Sequence, residues 1–271
     1  MSLYRSAVWF AKGLREYTKS GYESAAKDFV PDDLEVQVPG RAFLVTGGNS
    51  GIGKATATEI AKRGGTVHLV CRDQERAEGA KAEIIRESGN QNIFLHIVDL
   101  SDPKKIWKFA EDFKQEHKLN VLVNNAGCMV NKRELTEDRL EKNFATNTLG
   151  VYILTIALIP VLEKEHDPRV ITVSSGGMLV QKLNINDLQS ERTAFDGTMV
   201  YAQNKRQQVV LTEHWARAHP TIHFSSMHPG WVDTPDRKPV PTHLPLARTS
   251  SSLAEEEKLM EILEELAHRF K

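Results

Sequence analysis

Directly after the Pro39-Gly40 turn, the short apolar run Arg41-Ala42-Phe43-Leu44-Val45-Thr46 leads into Gly47-Gly48-Asn49-Ser50-Gly51-Ile52-Gly53-Lys54. No other stretch restricts the fold as much. An apolar run of this length reads as a strand buried on both faces, the kind found in parallel sheets. Glycines at 47, 51 and 53 let the backbone turn sharply and approach a ligand closely. The helix that follows carries Ala55, Ala57, Ile60 and Ala61 and points its N-terminus at the turn, where a pyrophosphate is favoured. The spacing is G-x-x-x-G-x-G, not the commoner G-x-G-x-x-G. An ordinary glycine-rich strand-to-helix turn is the plainer alternative.

Further strands and helices alternate along the chain, as an α/β fold with a doubly wound parallel sheet requires. Gly64-Gly65 stops the first helix, Thr66 to Cys71 forms a second strand, and a charged helix spans Gln74 to Ser88. Asn92 to Val98 reads as a buried third strand, and Asp102-Pro103 starts the next helix. Leu119 to Val123 is the fourth strand, closed by Asn124-Asn125-Ala126-Gly127. A long helix is predicted from about Asp138 to Leu162, with the polar Asn147 inside its apolar stretch. Arg169 to Val173 is the fifth strand and ends in Ser174-Ser175-Gly176-Gly177. An irregular insert, Met178 to Met199, follows, then a helix to about Ala218 and a sixth strand, Thr221 to Met227.

Ligands of such sheets bind beyond the carboxyl ends of the strands, so the residues there carry the functional reading. The second strand ends in Arg72, which suits an adenosine 2′-phosphate and hence NADP(H), although Asp73 beside it offers a surface ion pair instead. Asp99, after the third strand, can face an adenine or simply form a turn. Tyr201 and Lys205 lie four apart, one turn above each other on a helix, so an ammonium can favour the phenolate and equip the tyrosine for proton transfer. Alone, that pair is common on solvated helix faces. The histidines at 219, 223 and 228 invite a metal reading, but no cluster of cysteines or carboxylates accompanies them, and no metal is expected.

A formal net charge of −1 and a pI of about 6.8 leave no basic surface for nucleic acid. A small-molecule partner is the expectation. The two cysteines, Cys71 and Cys128, sit in apolar runs read as ends of different strands, which predicts a reducing, cytoplasmic setting. No apolar run approaches the roughly 20 residues that span a bilayer, and no secretory leader is evident. Residues 1–39 form an N-terminal extension in which Leu3, Ala7, Phe10, Leu14 and Tyr17 recur at helical spacing among basic residues. Such a helix either lies peripherally on an anionic membrane or packs on its own domain.

With these elements in order, the chain resembles the short-chain dehydrogenases/reductases. Thr46 with Gly47, Gly51 and Gly53, then Asn124-Asn125-Ala126-Gly127, Asn147 in Asn-Thr-Leu-Gly, Ser175, Tyr201 with Lys205, and His228-Pro229-Gly230 carry the resemblance over roughly residues 40–235. The segment between Ser175 and Tyr201 is similar to the retinol-dehydrogenase-like branch. The resemblance implies a single Rossmann-type domain at 40–235 that transfers a hydride between NADP(H), or NAD(H), and an apolar alcohol or carbonyl compound such as a retinoid, steroid or lipid. It also implies roles. Tyr201 exchanges a proton with the substrate oxygen, Ser175 hydrogen-bonds that oxygen, Lys205 binds the nicotinamide ribose, and Asn147 supports a water-linked proton path. Gly47, Asn49, Ser50, Gly51, Ile52, Gly53, Arg72, Asp99, Asn125, Tyr201, Lys205 and Thr234 become the cofactor-binding set. A nucleotide-sugar epimerase shares the Tyr and Lys pair, but tends towards G-x-x-G-x-x-G and a longer C-terminal domain.

After Thr234-Pro235 the chain departs from that pattern. Residues 236–271 comprise a proline-rich stretch and one helix, with a Ser252/Glu255 capping box and an apolar stripe of Leu259, Leu263, Leu266 and Phe270. A seventh strand is missing, as in a shortened, alternatively spliced form. The sheet should then end at strand six with an edge exposed or covered by the tail, which bears on any homo-oligomer. The second functional reading is therefore a chain that binds cofactor but turns over poorly and acts as a binding or interaction protein.

Overall fold

A computed structural model of the chain describes residues 3–230 and 251–271. Six parallel strands form one sheet in the order β3-β2-β1-β4-β5-β6, with β1 at Ala42–Thr46, β2 at Thr66–Cys71, β3 at Ile93–Ile97, β4 at Val121–Asn124, β5 at Arg169–Val173 and β6 at His223–Met227. The order reverses at β1. There Val45 lies opposite Leu69 of β2 on one side and Val123 of β4 on the other. All five residues of β1 are buried, as their run of apolar side chains requires at the sheet centre.

The helices, in chain order, are α1 (Leu3–Glu16), α2 (Lys19–Ala25), α3 (Gly51–Lys62), α4 (Gln74–Ser88), α5 (Pro103–Glu116), α6 (Lys142–Phe144), α7 (Gly150–Leu162), α8 (Gly197–Ala218) and α9 (Leu253–Arg269). Local chemistry sets their ends. Asp73 accepts from Arg76 N at the start of α4, Gly89 closes that helix at φ 72°, and Asp102 accepts from Lys105 N ahead of Pro103. One core lies between the sheet and the α5, α7, α8 layer, with Leu44, Phe113, Leu122, Leu158 and Trp215 among its members. A second lies under α3 and α4, around Val67, Leu69 and Ile84.

Four expectations change. The third strand is an edge, not buried. Phe94 is 41% and Ile97 45% exposed, because among the described residues β3 has a neighbour only in β2. Cys128 lies four residues past the end of β4, in the loop, whereas Cys71 does end β2; both are free thiols. The long helix is joined from α6 and α7 by a π-turn at Ala145–Leu149, and it begins at Lys142, not Asp138. As one unit, Lys142–Leu162 is long and apolar enough to cross a bilayer, contrary to the reading of the apolar runs. Most of it is buried in the fold, as befits a core helix.

The C-terminal helix has the expected capping box. It does not cover β6. Leu259, Leu263, Ala267 and Phe270 enter the core beside α5 and α7, and Trp107 Nε1 donates to Ala267 O at 3.0 Å. Burying each leucine or the phenylalanine contributes about 1.5–3 kcal/mol. The N-terminal helix packs through Gly13 and Tyr17, which are buried, while Val8, Phe10 and Leu14 face outward. Tyr17 meets the His228 ring edge-on at a centroid distance of 6.2 Å.

Candidate active site

A cleft of about 660 Å³ opens where the strand order reverses, at the carboxyl ends of the strands. The glycine turn forms one wall. Gly47 sits at φ 65° and Gly51 at φ 50°, and a Cβ on Gly53 would fall 2.3 Å from Gly47 O and 2.4 Å from Asn125 Nδ2. The side chain of Asn125 holds that turn, donating to Thr46 O at 2.9 Å. Thr46 Oγ1 in turn accepts from the backbone of Asn125 at 3.0 Å and of Ala126 at 2.9 Å. These bonds lock the ends of β1 and β4 together and aim the first turn of α3 into the cleft. Gly53→Ala is therefore expected to weaken nicotinamide-cofactor binding at least about tenfold and to destabilise the fold by about 1–3 kcal/mol. Fluorescence titration and chemical denaturation read the two effects.

Gly47, Asn49, Ser50, Gly51, Ile52, Gly53, Arg72, Asp99, Asn125, Ser175, Tyr201 and Lys205 all line this cleft. Thr234 lies outside the described residues. Asp73 is taken up as the α4 cap, and Arg72 stands exposed at the cleft mouth. Arg76, one turn on, lines the same mouth and was not read from the sequence; its spacing from Arg72 was the available signal. Asp99 serves both readings. Its Oδ1 accepts from Ser101 N and Ser101 Oγ, both at 2.8 Å, while the residue faces the cleft.

Ser175 follows β5, where its Oγ accepts from Gly177 N at 3.2 Å and keeps its own proton to donate. Lys205 is buried on α8, with Nζ 5.4 Å from the centre of the Tyr201 ring. Its Nζ donates to Val173 O at 2.8 Å and to Gln208 Oε1 at 3.1 Å. Burial lowers the ammonium's pKa to about 8, so the charge is held at a desolvation cost but still present at neutral pH.

Asn147 does not line the cleft wall. Fully buried in the π-turn, it accepts from Cys128 N at 2.9 Å and donates to Cys128 O at 2.7 Å, clamping the loop after β4. Its backbone carbonyl takes a bond from Gln208 Nε2 at 2.7 Å. Gln208 thus bonds both Lys205 Nζ and the Asn147 carbonyl. Asn204, Gln207 and Thr148 extend this polar seam, with Thr148 Oγ1 donating to Gln207 Oε1 at 2.6 Å. The histidines at 219, 223 and 228 do not assemble. His219 pairs with Glu163 at 3.1 Å, His223 opens β6, and His228 lines the cleft.

The sequence profile of the short chain dehydrogenase family matches residues 41–244. The chain is 77% identical to dehydrogenase/reductase SDR family member 12 of Bos taurus and 74% identical to that of Homo sapiens. Each alignment runs over 317 positions and takes in 100% of both chains, so this 271-residue chain is shortened relative to them. Retinol dehydrogenase 12 of Mus musculus is 38% identical over 200 residues, covering 73% of this chain and 63% of its own. Among solved structures, an uncharacterized protein from Mycobacterium paratuberculosis superposes with a TM-score of 0.71 at 26% identity, covering 86% of this chain and 95% of that one. A Shigella flexneri short chain dehydrogenase complexed with NADP gives 0.59 at 23% identity, over 72% and 78%. A profile that takes in most of the chain, together with relatives alike from end to end, places this protein in the short-chain dehydrogenase family, as an NAD(P)-dependent oxidoreductase.

Proposed function

We propose that the chain prefers NADP(H) and interconverts an apolar alcohol and its carbonyl compound by a Ser175, Tyr201, Lys205 mechanism, within a cofactor domain at residues 40–235. The observation that carries this reading is that all three side chains line one cleft with the glycine turn and Arg72. The residues present fit the cofactor. The turn has no room for a Cβ at Gly53, the first turn of α3 offers its N–H groups to a pyrophosphate, and Arg72 and Arg76 line the same cleft with charge that suits a 2′-phosphate. When bound, the nicotinamide supplies or accepts the hydride.

The protein's own part is to place the substrate and move a proton. Ser175 Oγ donates to the substrate oxygen as negative charge develops on it, and the Tyr201 hydroxyl gives that oxygen its proton in reduction or takes one in oxidation. Lys205 favours the phenolate through its charge and has Val173 O and Gln208 Oε1 to hold it in place. Met129 and Val130 give the cleft an apolar stretch beside these groups, which suits a substrate with a hydrocarbon body.

Titrating the purified protein with NADPH and NADH, followed by nicotinamide fluorescence, tests the cofactor preference. NADPH should bind more tightly. Arg72→Ala should then weaken NADPH by about 10–100-fold, the loss of one charge-assisted phosphate contact, and leave NADH unchanged. Equal affinities in the wild type would end the NADP(H) reading. The substrate class is tested by assaying a panel of retinoid, steroid and aliphatic carbonyls with the preferred cofactor.

A further inference from the structure

His68, His96 and His117 come from three elements and meet on one side of the sheet. His68 and His96 point to the same face of neighbouring strands, since Val70 pairs with His96 and His68 with Phe94. His117 is the C-cap of α5, which packs over that face. The Nδ1 of His68 and the Nε2 of His96 are 3.0 Å apart, and one ring nitrogen from each of the three histidines falls within 4.8 Å of the others. None of the three lines the cleft.

We propose that these three imidazoles form a binding site for a divalent transition-metal ion of the zinc class. Imidazole nitrogens are the ligands such ions favour, and three of them with a water as the fourth ligand form a recurrent coordination set. Zinc–nitrogen bonds of about 2.0–2.1 Å in a tetrahedron place ligand nitrogens about 3.3–3.4 Å apart. The His68 and His96 pair is already near that spacing, so closure requires movement mainly of His117, which is partly exposed at the end of its helix.

The surroundings hold the three rings in place. His68 is 2% exposed, and Phe94, Phe109 and Phe113 pack on the three rings at centroid distances of 5.0–5.1 Å. A purely aromatic packing role would be met by one more phenylalanine and would not need three donor nitrogens converging. The ion would tie the edge strand β3 to β2 and α5.

The test uses the full chain stripped with chelator and titrated with zinc and, separately, with cobalt. One equivalent of either should bind, cobalt with the visible absorption of a four-coordinate site, and zinc should raise the melting temperature. His117→Gln, at a partly exposed cap, should weaken binding by at least about tenfold. Its melting temperature in chelator and its cofactor affinity should stay at wild-type values. His96→Phe, which keeps the ring stack, should lose binding in the same way, and His219→Gln should bind like the wild type. Wild-type protein that takes up no stoichiometric metal, or uptake that survives in both His117→Gln and His96→Phe, would overturn the site.

Discussion

Replacing Tyr201 by phenylalanine is expected to lower kcat by about 10²–10⁴-fold, the range that a positioned general acid or base supplies. Cofactor affinity should change little, because the ring remains and only the hydroxyl is lost. The single-turnover rate measured with saturating cofactor isolates the chemical step from product release. A rate within a few fold of wild type would remove Tyr201 from the mechanism and leave Ser175 and Lys205 without a proton donor between them.

Lys205→Met should separate activity from stability. Turnover should fall to background, since no charge remains beside Tyr201. Yet the protein without ligand should lose little stability, because the desolvation cost removed with the ammonium is of the same order as the hydrogen bonds lost with it. Lowering the lysine pKa from 10.5 to about 8 corresponds to about 3 kcal/mol held against the folded state wherever both states are protonated. Against this, Val173 O and Gln208 Oε1 each lose a donor, at about 1–3 kcal/mol for a buried group left unpaired, less if Gln208 turns. The pH dependence carries the sign. Between pH 8 and 10.5 the wild-type unfolded chain binds the lysine proton and the folded chain does not, so wild-type stability rises with pH relative to the variant by up to about 1.4 kcal/mol per unit. Any advantage of the methionine variant should therefore be full below pH 8 and shrink above it. Parallel denaturation curves for the two proteins at pH 7 and pH 10 measure this, and an unchanged difference would show that the lysine is not held at such a cost.

What the sequence disclosed was set by the range of the interactions involved. The glycine turn, the Thr66–Cys71 strand, the Gln74–Ser88 helix and the Ser252 capping box depend on residues a few positions apart, and each was read to within a residue. The edge position of β3 depends on which strands flank it, and nothing in Asn92 to Val98 records that. The π-turn at Ala145–Leu149 leaves the apolar pattern of its helix intact, so Asn147 looked like an isolated polar residue. Its partner Gln208 is 61 residues away. His68 and His96 are 28 residues apart and share a face only through the register of β2 with β3, which is why attention went to the histidines between 219 and 228.

The docking of α9 has a consequence for how the molecule is made. Trp107, on α5, reaches Ala267 across 160 residues of sequence, and the last four turns of the chain fill the seam between α5 and α7. During synthesis, the layer that covers one face of the sheet is therefore left open until α9 has emerged from the ribosome. A nascent or clipped chain ending before Leu259 would carry that apolar seam into solvent, where chaperones and proteases find it. Helix α9 thus acts as the closing piece of that part of the interior.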